Sequence, residues 1–255
     1  MMWRKFSSNY SKMIRITKLN AINSRLVKRD LQSIATSMKH LTSLYISFNM
    51  ISESEAKIIS SMNQLRALHI YHCGIKEEVV RIISSMNKLN SLHLEKNNIN
   101  DSSAKLLSSM KWLANLHLRE NDITDDGIEY IASMKQLQTL DIGINQVFYE
   151  GVQLIGSMKN LKSLEIGNVL SNEGVISLCN LLNNLTFLNV EHNSVDYLGA
   201  NAICSLTYLT SLNVNSNLLG NQGAQLISSM EQLKSLNIGH NQIDAEGANA
   251  ISSMK

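Results

Sequence analysis

Six of the seven histidines in this 255-residue chain share two registers of spacing. His69, His93 and His117 recur at intervals of 24 residues, and His72, His192 and His240 recur at multiples of the same interval. Imidazoles repeated in one register support three kinds of chemistry. Two neighbours can share a zinc ion, with Asp141 extending the ligand set of His117. A cluster that charges together near pH 6 can act as a pH switch. The third use is as part of a face that binds another protein. The residues around the histidines favour that third use. Tyr45 opens the register of His69, and Phe48, Tyr71 and His72 lie close by with Glu95 and Arg119. Tyrosine and arginine are enriched at interface hot spots. Nothing in a flat column of strand residues imposes tetrahedral geometry, so no metal site is expected. The expected partner-binding set is Tyr45, Phe48, His69, Tyr71 and His72, together with His93, Glu95, His117, Arg119 and Asp141. Toward the C-terminus the same registers become plain, as in Asn213, Asn215, Ser216 and Gly239.

Other chemistry-bearing residues point to packing. Met38, Met62, Met86, Met110, Met134, Met158, Met230 and Met254 occupy one repeated position, which Leu182 and Leu206 fill elsewhere. Size and apolarity are therefore what the position requires, and soft-metal binding is not. Cys73, Cys179 and Cys204 form no close pair, which argues against a disulfide framework or a Cys-x-x-Cys site. Phosphate-binding glycine loops, His-Glu-x-x-His and nucleophile elbows are all missing from the sequence. The reading is of a chain with no catalytic residues and no cofactor.

The elements that would position these side chains follow from the repeat. Leucine recurs every 24 residues from Leu41 to Leu233, and each begins Leu-x-x-Leu-x-apolar-x-x-Asn-x-apolar. In "LANLHLRENDI", Leu116 and Leu118 alternate with Asn115, His117 and Arg119, the period of a short strand with one buried face. In "TDDGIEYIASM", Thr124 suits a helix N-cap, and Ile128, Ile131 and Met134 share one helical face. Ser52 and Glu55 match a capping box. One strand and one short helix cannot bury both apolar faces alone, so the units must stack into a parallel sheet lined by helices. The asparagine at each bend, as at Asn49, Asn97 and Asn121, is placed to bond backbone groups of neighbouring coils. Cys73 takes that place once.

These motifs resemble the leucine-rich-repeat family, whose pattern admits Asn or Cys at the bend. The helical second half is similar to the ribonuclease-inhibitor-like branch, and the 24-residue length to its short GALA-like repeats. The resemblance covers residues 41–255 in nine units. It implies an α/β solenoid, with a curved parallel sheet on the concave face and short helices on the convex face. It also implies a non-catalytic scaffold that recognises a protein partner through the concave face. Two alternatives stay open: a regulator of enzyme turnover such as a GTPase activator, or a self-associating array unit.

Residues 16–40 read as a degenerate N-terminal capping repeat, and residues 1–15 as a basic, flexible tail. Met1 to Arg29 carries eight Lys or Arg and no acid. The remainder is left with 15 basic and 21 acidic residues, a net −6 that disfavours nucleic acid as a partner. No apolar run reaches the ~18 residues of a membrane span. A cytoplasmic location is expected, with organelle targeting through the basic N-terminus as the alternative. The last repeat is expected to lack a cap, which would permit end-to-end self-association. "LKSLEIGNVLSNEGVISLCNLLNN" departs from the pattern, and a kink is expected between Ile166 and Asn168.

Overall fold

The computed structural model of the chain describes residues 15–167 and 170–254. The expected tail, apart from Arg15, and the Asn168 side of the expected kink lie outside the described residues. Two compact units divide between Asp122 and Ile123.

In the first unit, short strands alternate with helices. The strands are β1 (Lys18–Asn20), β2 (Ser43–Tyr45), β3 (Ala67–His69), β4 (Ser91–His93) and β5 (Asn115–His117). Between them run α1 (Lys28–Ser37), α2 (Glu53–Ser60), α3 (Glu77–Ser84) and α4 (Asp101–Leu107). Each strand pairs in parallel with the next, and the register sets Tyr45 beside His69, His69 beside His93, and His93 beside His117. The second unit repeats the plan. Its strands are β6 (Thr139–Asp141), β7 (Ser163–Glu165), β8 (Phe187–Asn189), β9 (Ser211–Asn213) and β10 (Ser235–Asn237). Its helices are α5 (Asp125–Ala132), α6 (Tyr149–Gly156), α7 (Asn172–Leu181), α8 (Tyr197–Cys204), α9 (Gly220–Ser228) and α10 (Ala245–Ser252). From β6 to β10 successive strands are again parallel. The fold is an α/β leucine-repeat solenoid of the expected class.

Packing follows the pattern of the sequence. Leu44, Ile46, Leu68, Ile70, Leu92 and Leu94 point inward from alternate positions and are fully buried. Ala56 and Ile59 of α2 and Val80 and Ile83 of α3 are buried equally well. The methionine column is core, with Met62, Met86 and Met110 buried in the first unit and Met134, Met158 and Met230 in the second. Helix starts are capped as their residue types dictate. Thr124 accepts from the amide of Asp126 at 3.3 Å, and the backbone N–H of Ser52 donates to the Glu55 carboxylate at 3.2 Å. In the last repeat, Leu233, Leu236, Ile238 and Ile251 are only half-buried, although their counterparts one repeat earlier are buried.

The strands stop after three residues because the chain turns to bring an asparagine inside. Asn97 is fully buried, and its Nδ2 donates to the carbonyls of Ile70, Leu94 and Glu95 at 2.7, 3.1 and 3.0 Å. Its Oδ1 accepts from the amides of Cys73 and Ile75 at 2.8 and 3.3 Å. One side chain thus satisfies five backbone groups that would otherwise cost about 1–3 kcal/mol each when buried. The turn has its own cost. The residue before each bend lies in the left-handed region, with φ of 58° at Phe48, 50° at His72 and 56° at Lys96. That conformation costs a non-glycine residue about 1–2 kcal/mol. Cys73, at the variant bend, has its Sγ 3.4 Å from the carbonyl of Tyr71 and 3.5 Å from that of Ile46. Burial pushes its thiol up to about 11.

Candidate protein-binding face

The outward positions of β2 to β5 carry one ring after another. Tyr45 and His69 stack with centroids 4.0 Å apart and planes 15° from parallel. His69 and His93 follow at 3.8 Å and 23°, then His93 and His117 at 4.0 Å and 8°. This is the expected ladder, and the cause is simple. Parallel in-register strands set equivalent Cα atoms about 4.8 Å apart, and planar side chains at that spacing fill the gap by lying face to face.

A second outward column lies two residues further along each strand, where Tyr71 sits between Ser47 and Glu95. The amide of Tyr71 donates to the Ser47 hydroxyl at 3.2 Å. Phe48 meets Tyr71 edge-on at 5.0 Å and His72 more nearly face-on at 5.5 Å. Phe48 and His72 were expected on the concave face together with the strand residues. They do not project from strands; they occupy the left-handed turn positions at the strand ends, where both are exposed. His192 and His240 share that turn geometry in the second unit. The physical reason is the turn: continued alternation after Ile46 and Ile70 would point both residues inward, and the left-handed conformation instead turns them out and brings Asn49 and Cys73 inside.

Electrostatics bind the two columns together. Glu95 Oε1 lies 3.1 Å from His93 Nδ1. Its other carboxylate oxygen is shielded from solvent and has no hydrogen-bond partner. Burial raises the Glu95 carboxyl, but the hydrogen bond with His93, its own backbone amide and the charges of His93 and His117 outweigh that and hold it below the usual range. Burial pushes His69 down to about 4; the charges of His93 and His117 add to the effect and that of Glu95 opposes it. His69 is therefore neutral at pH 7. At the edge of the face, Lys96 and Glu120 form an ion pair at 3.1 Å.

Nine of the ten expected residues thus belong to the first unit: Tyr45, His69, His93 and His117 in the stack, Tyr71, Glu95 and Arg119 in the second column, Phe48 and His72 in the turns. Arg119 is partly exposed, and its carbonyl accepts from the amide of Lys96 at 2.9 Å. Asp141 belongs to the second unit, where it is 5% exposed and accepts from the amide of Gly143 at 3.1 Å. Sequence reasoning passed over Met50, which is 80% exposed beside the Phe48 turn, and Trp112, exposed at 71% in the loop before β5. A signal existed for Trp112. It stands where most other repeats place Gln, Lys or Asn.

Comparison with known proteins agrees with the architecture. A family model described as a leucine-rich repeat matches residues 85–108, 110–132, 182–204, 205–228 and 231–252. Among solved structures, an internalin (inlF) from Listeria monocytogenes str. 4b F2365 is similar with a TM-score of 0.58 and 21% identity, over 100% of this chain and 91% of that one. An internalin C2 (inlC2) from the same strain is similar with a TM-score of 0.53 and 21% identity, over 80% of this chain and 82% of that one. At such identity the likeness speaks for the fold alone. No curated protein sequence matches the chain.

Proposed function

Because this chain is a leucine-rich-repeat protein, we propose that it works as a non-catalytic scaffold that binds a protein partner through the outward strand face of its first unit. The observation that carries the reading is the continuous ring surface from Tyr45 to His117, flanked by Phe48, Tyr71 and His72. Stacked rings present a large, stiff area whose side-chain entropy is already spent, so little ordering cost remains when a partner docks. Arg119 and Glu95 bring charge to the same face, which sets orientation more than affinity. The binding residues are the nine of the first unit named above; Asp141, buried in the second unit, is left out of the proposed face.

Catalysis is left out of this reading because the ionisable groups of the face are tied to structure. Glu95 is engaged by His93, and His69 is held neutral. The thiols of Cys73 and Cys179, pushed up to about 11 and about 12 by burial, are not nucleophiles at neutral pH. Three free cysteines fit a reducing compartment, and we place the protein in the cytoplasm on that ground. Among the described residues no helix is long and apolar enough to cross a membrane.

The test is affinity capture from the native lysate, wild type beside a Tyr71→Ala/His93→Ala/His117→Ala variant with an unchanged far-ultraviolet spectrum. A protein held by the wild type and lost by the variant supports the reading. Equal retention by both would move the interface off this face.

A further inference from the structure

We propose that His93, Glu95 and His117 bind one divalent transition-metal ion of the zinc type on the outward face of β4 and β5. Their donor atoms, one from each side chain, all lie within 4.8 Å of one another. A tetrahedral zinc ion with bonds of about 2.0–2.2 Å needs its ligand atoms roughly 3.3–3.5 Å apart. The remaining movement is of the order of an ångström and needs side-chain rotation only. The backbone already fixes the two strands side by side, with His93 opposite His117. The rings, now 8° from parallel, have to tilt toward each other so that their lone pairs converge. Both are partly exposed, so solvent borders the space into which they turn.

Two further observations single out this trio from the rest of the ladder. Glu95 Oε1 is already 3.1 Å from His93 Nδ1, a contact in which a metal ion can take the place of the shared proton. The second carboxylate oxygen of Glu95 is shielded from water with nothing donating to it. A buried acceptor in that condition is rare and is the kind of group that an ion satisfies. The donor set also selects the ion. Two imidazoles and one carboxylate suit zinc, cobalt, nickel or copper, whereas calcium and magnesium require mostly oxygen ligands. Three protein ligands leave a coordination position for water or for a side chain brought by another molecule. The site shares a face with the proposed protein-binding surface but does not depend on it, since metal binding is read on the isolated chain.

The experiment is zinc titration calorimetry of the full chain near pH 7.5, paired with the visible absorption of a cobalt-loaded sample. We expect one ion per chain and cobalt bands of tetrahedral intensity without thiolate charge transfer, because Cys73 and Cys179 are buried and protonated. Affinity should fall in both His117→Ala and Glu95→Gln by at least the roughly 10–100-fold that loss of a group merely supporting a ligand costs, because each variant removes a direct ligand. His192→Ala in the second unit should bind as the wild type does. Glu95→Gln keeps the shape of the side chain, so it decides the matter if His117→Ala folds poorly. No binding, several weak equivalents, or binding indifferent to Glu95→Gln would each overturn the proposal.

Discussion

The two units use the same coil to opposite ends on their outward faces. In the first, the register is Tyr45, His69, His93, His117, and its members meet by ring stacking at 3.8–4.0 Å. In the second it is Asp141, Glu165, Asn189, Asn213, Asn237, and its asparagines are engaged by hydrogen bonds, one within the register and the others to residues of the neighbouring column. Asn189 Nδ2 donates to Glu165 at 3.2 Å, and Asn213 Nδ2 donates to Glu191 at 3.0 Å. Oδ1 of Asn189 and of Asn213 accepts from the amides of Glu191 and Asn215. Amides and carboxylates in a column satisfy one another and leave little for a partner. Rings in a column meet through their flat faces, and each ring remains partly exposed. The comparison teaches that a repeat scaffold assigns binding capacity locally, through the residue types in one column, while the interior stays uniform.

That uniform interior gives the largest expected effect. Asn97→Ala should destabilise the first unit by at least about 3 kcal/mol, because several buried backbone groups lose their partner at once. Asn217→Ala should do the same to the second unit, since its Nδ2 donates to Val190, Val214 and Asn215 at 2.9, 3.0 and 3.2 Å. Urea unfolding of the two variants would show it; a loss under about 1 kcal/mol in either would mean that leucine packing alone carries the coil.

Next in size is the contrast in binding. Tyr71→Ala/His93→Ala/His117→Ala should weaken partner capture by about 30-fold or more, the scale of one hot spot at roughly 2 kcal/mol. Glu165→Ala/Asn189→Ala/Asn213→Ala should leave capture unchanged. If the second triple loses the partner instead, the contrast between the faces is wrong.

Acid should separate the units further. His69 titrates near 4 when folded and near 6.5 when unfolded, so between these values the unfolded chain binds more protons. Stability must then fall as pH drops from 6.5 toward 4 and stay flat above that window. The full shift corresponds to about 3 kcal/mol, and the partial exposure of the ring reduces this to about 1–2 kcal/mol. Thermal unfolding of the wild type and His69→Gln across that window is the check; the variant should lose most of the slope.

The smallest effect concerns Cys73. Cys73→Asn should restore the bend residue of the other coils and add about 0.5–1 kcal/mol, the net worth of a typical hydrogen bond. A loss of stability would mean that the second coil has repacked around the thiol.

Much of the fold was legible because a 24-residue period leaves a chain little choice. Alternation at Leu116 and Leu118 sets a strand, Ile128 and Ile131 set a helix face, and neither buries its apolar side without a neighbour. The ladder was legible for the same reason, since equal register in a stack means contact. Other features were not. Phe48 and His72 were expected on the concave face, and that they reach it from left-handed turns was not legible, because residue spacing does not reveal where the backbone leaves the strand conformation. Glu95 was legible as a charged neighbour; its tie to His93 and its unpartnered oxygen depend on rotamers that only packing selects.

The sequence by itself determined the class of the fold, the core and the residue types that line the outward face, since all three follow from periodicity and burial. The tertiary structure alone decided which of those residues touch. Local periodicity fixes the direction in which a side chain leaves the backbone. How close two such side chains come depends on the turn that ends each strand and on the neighbours that compete for the same space.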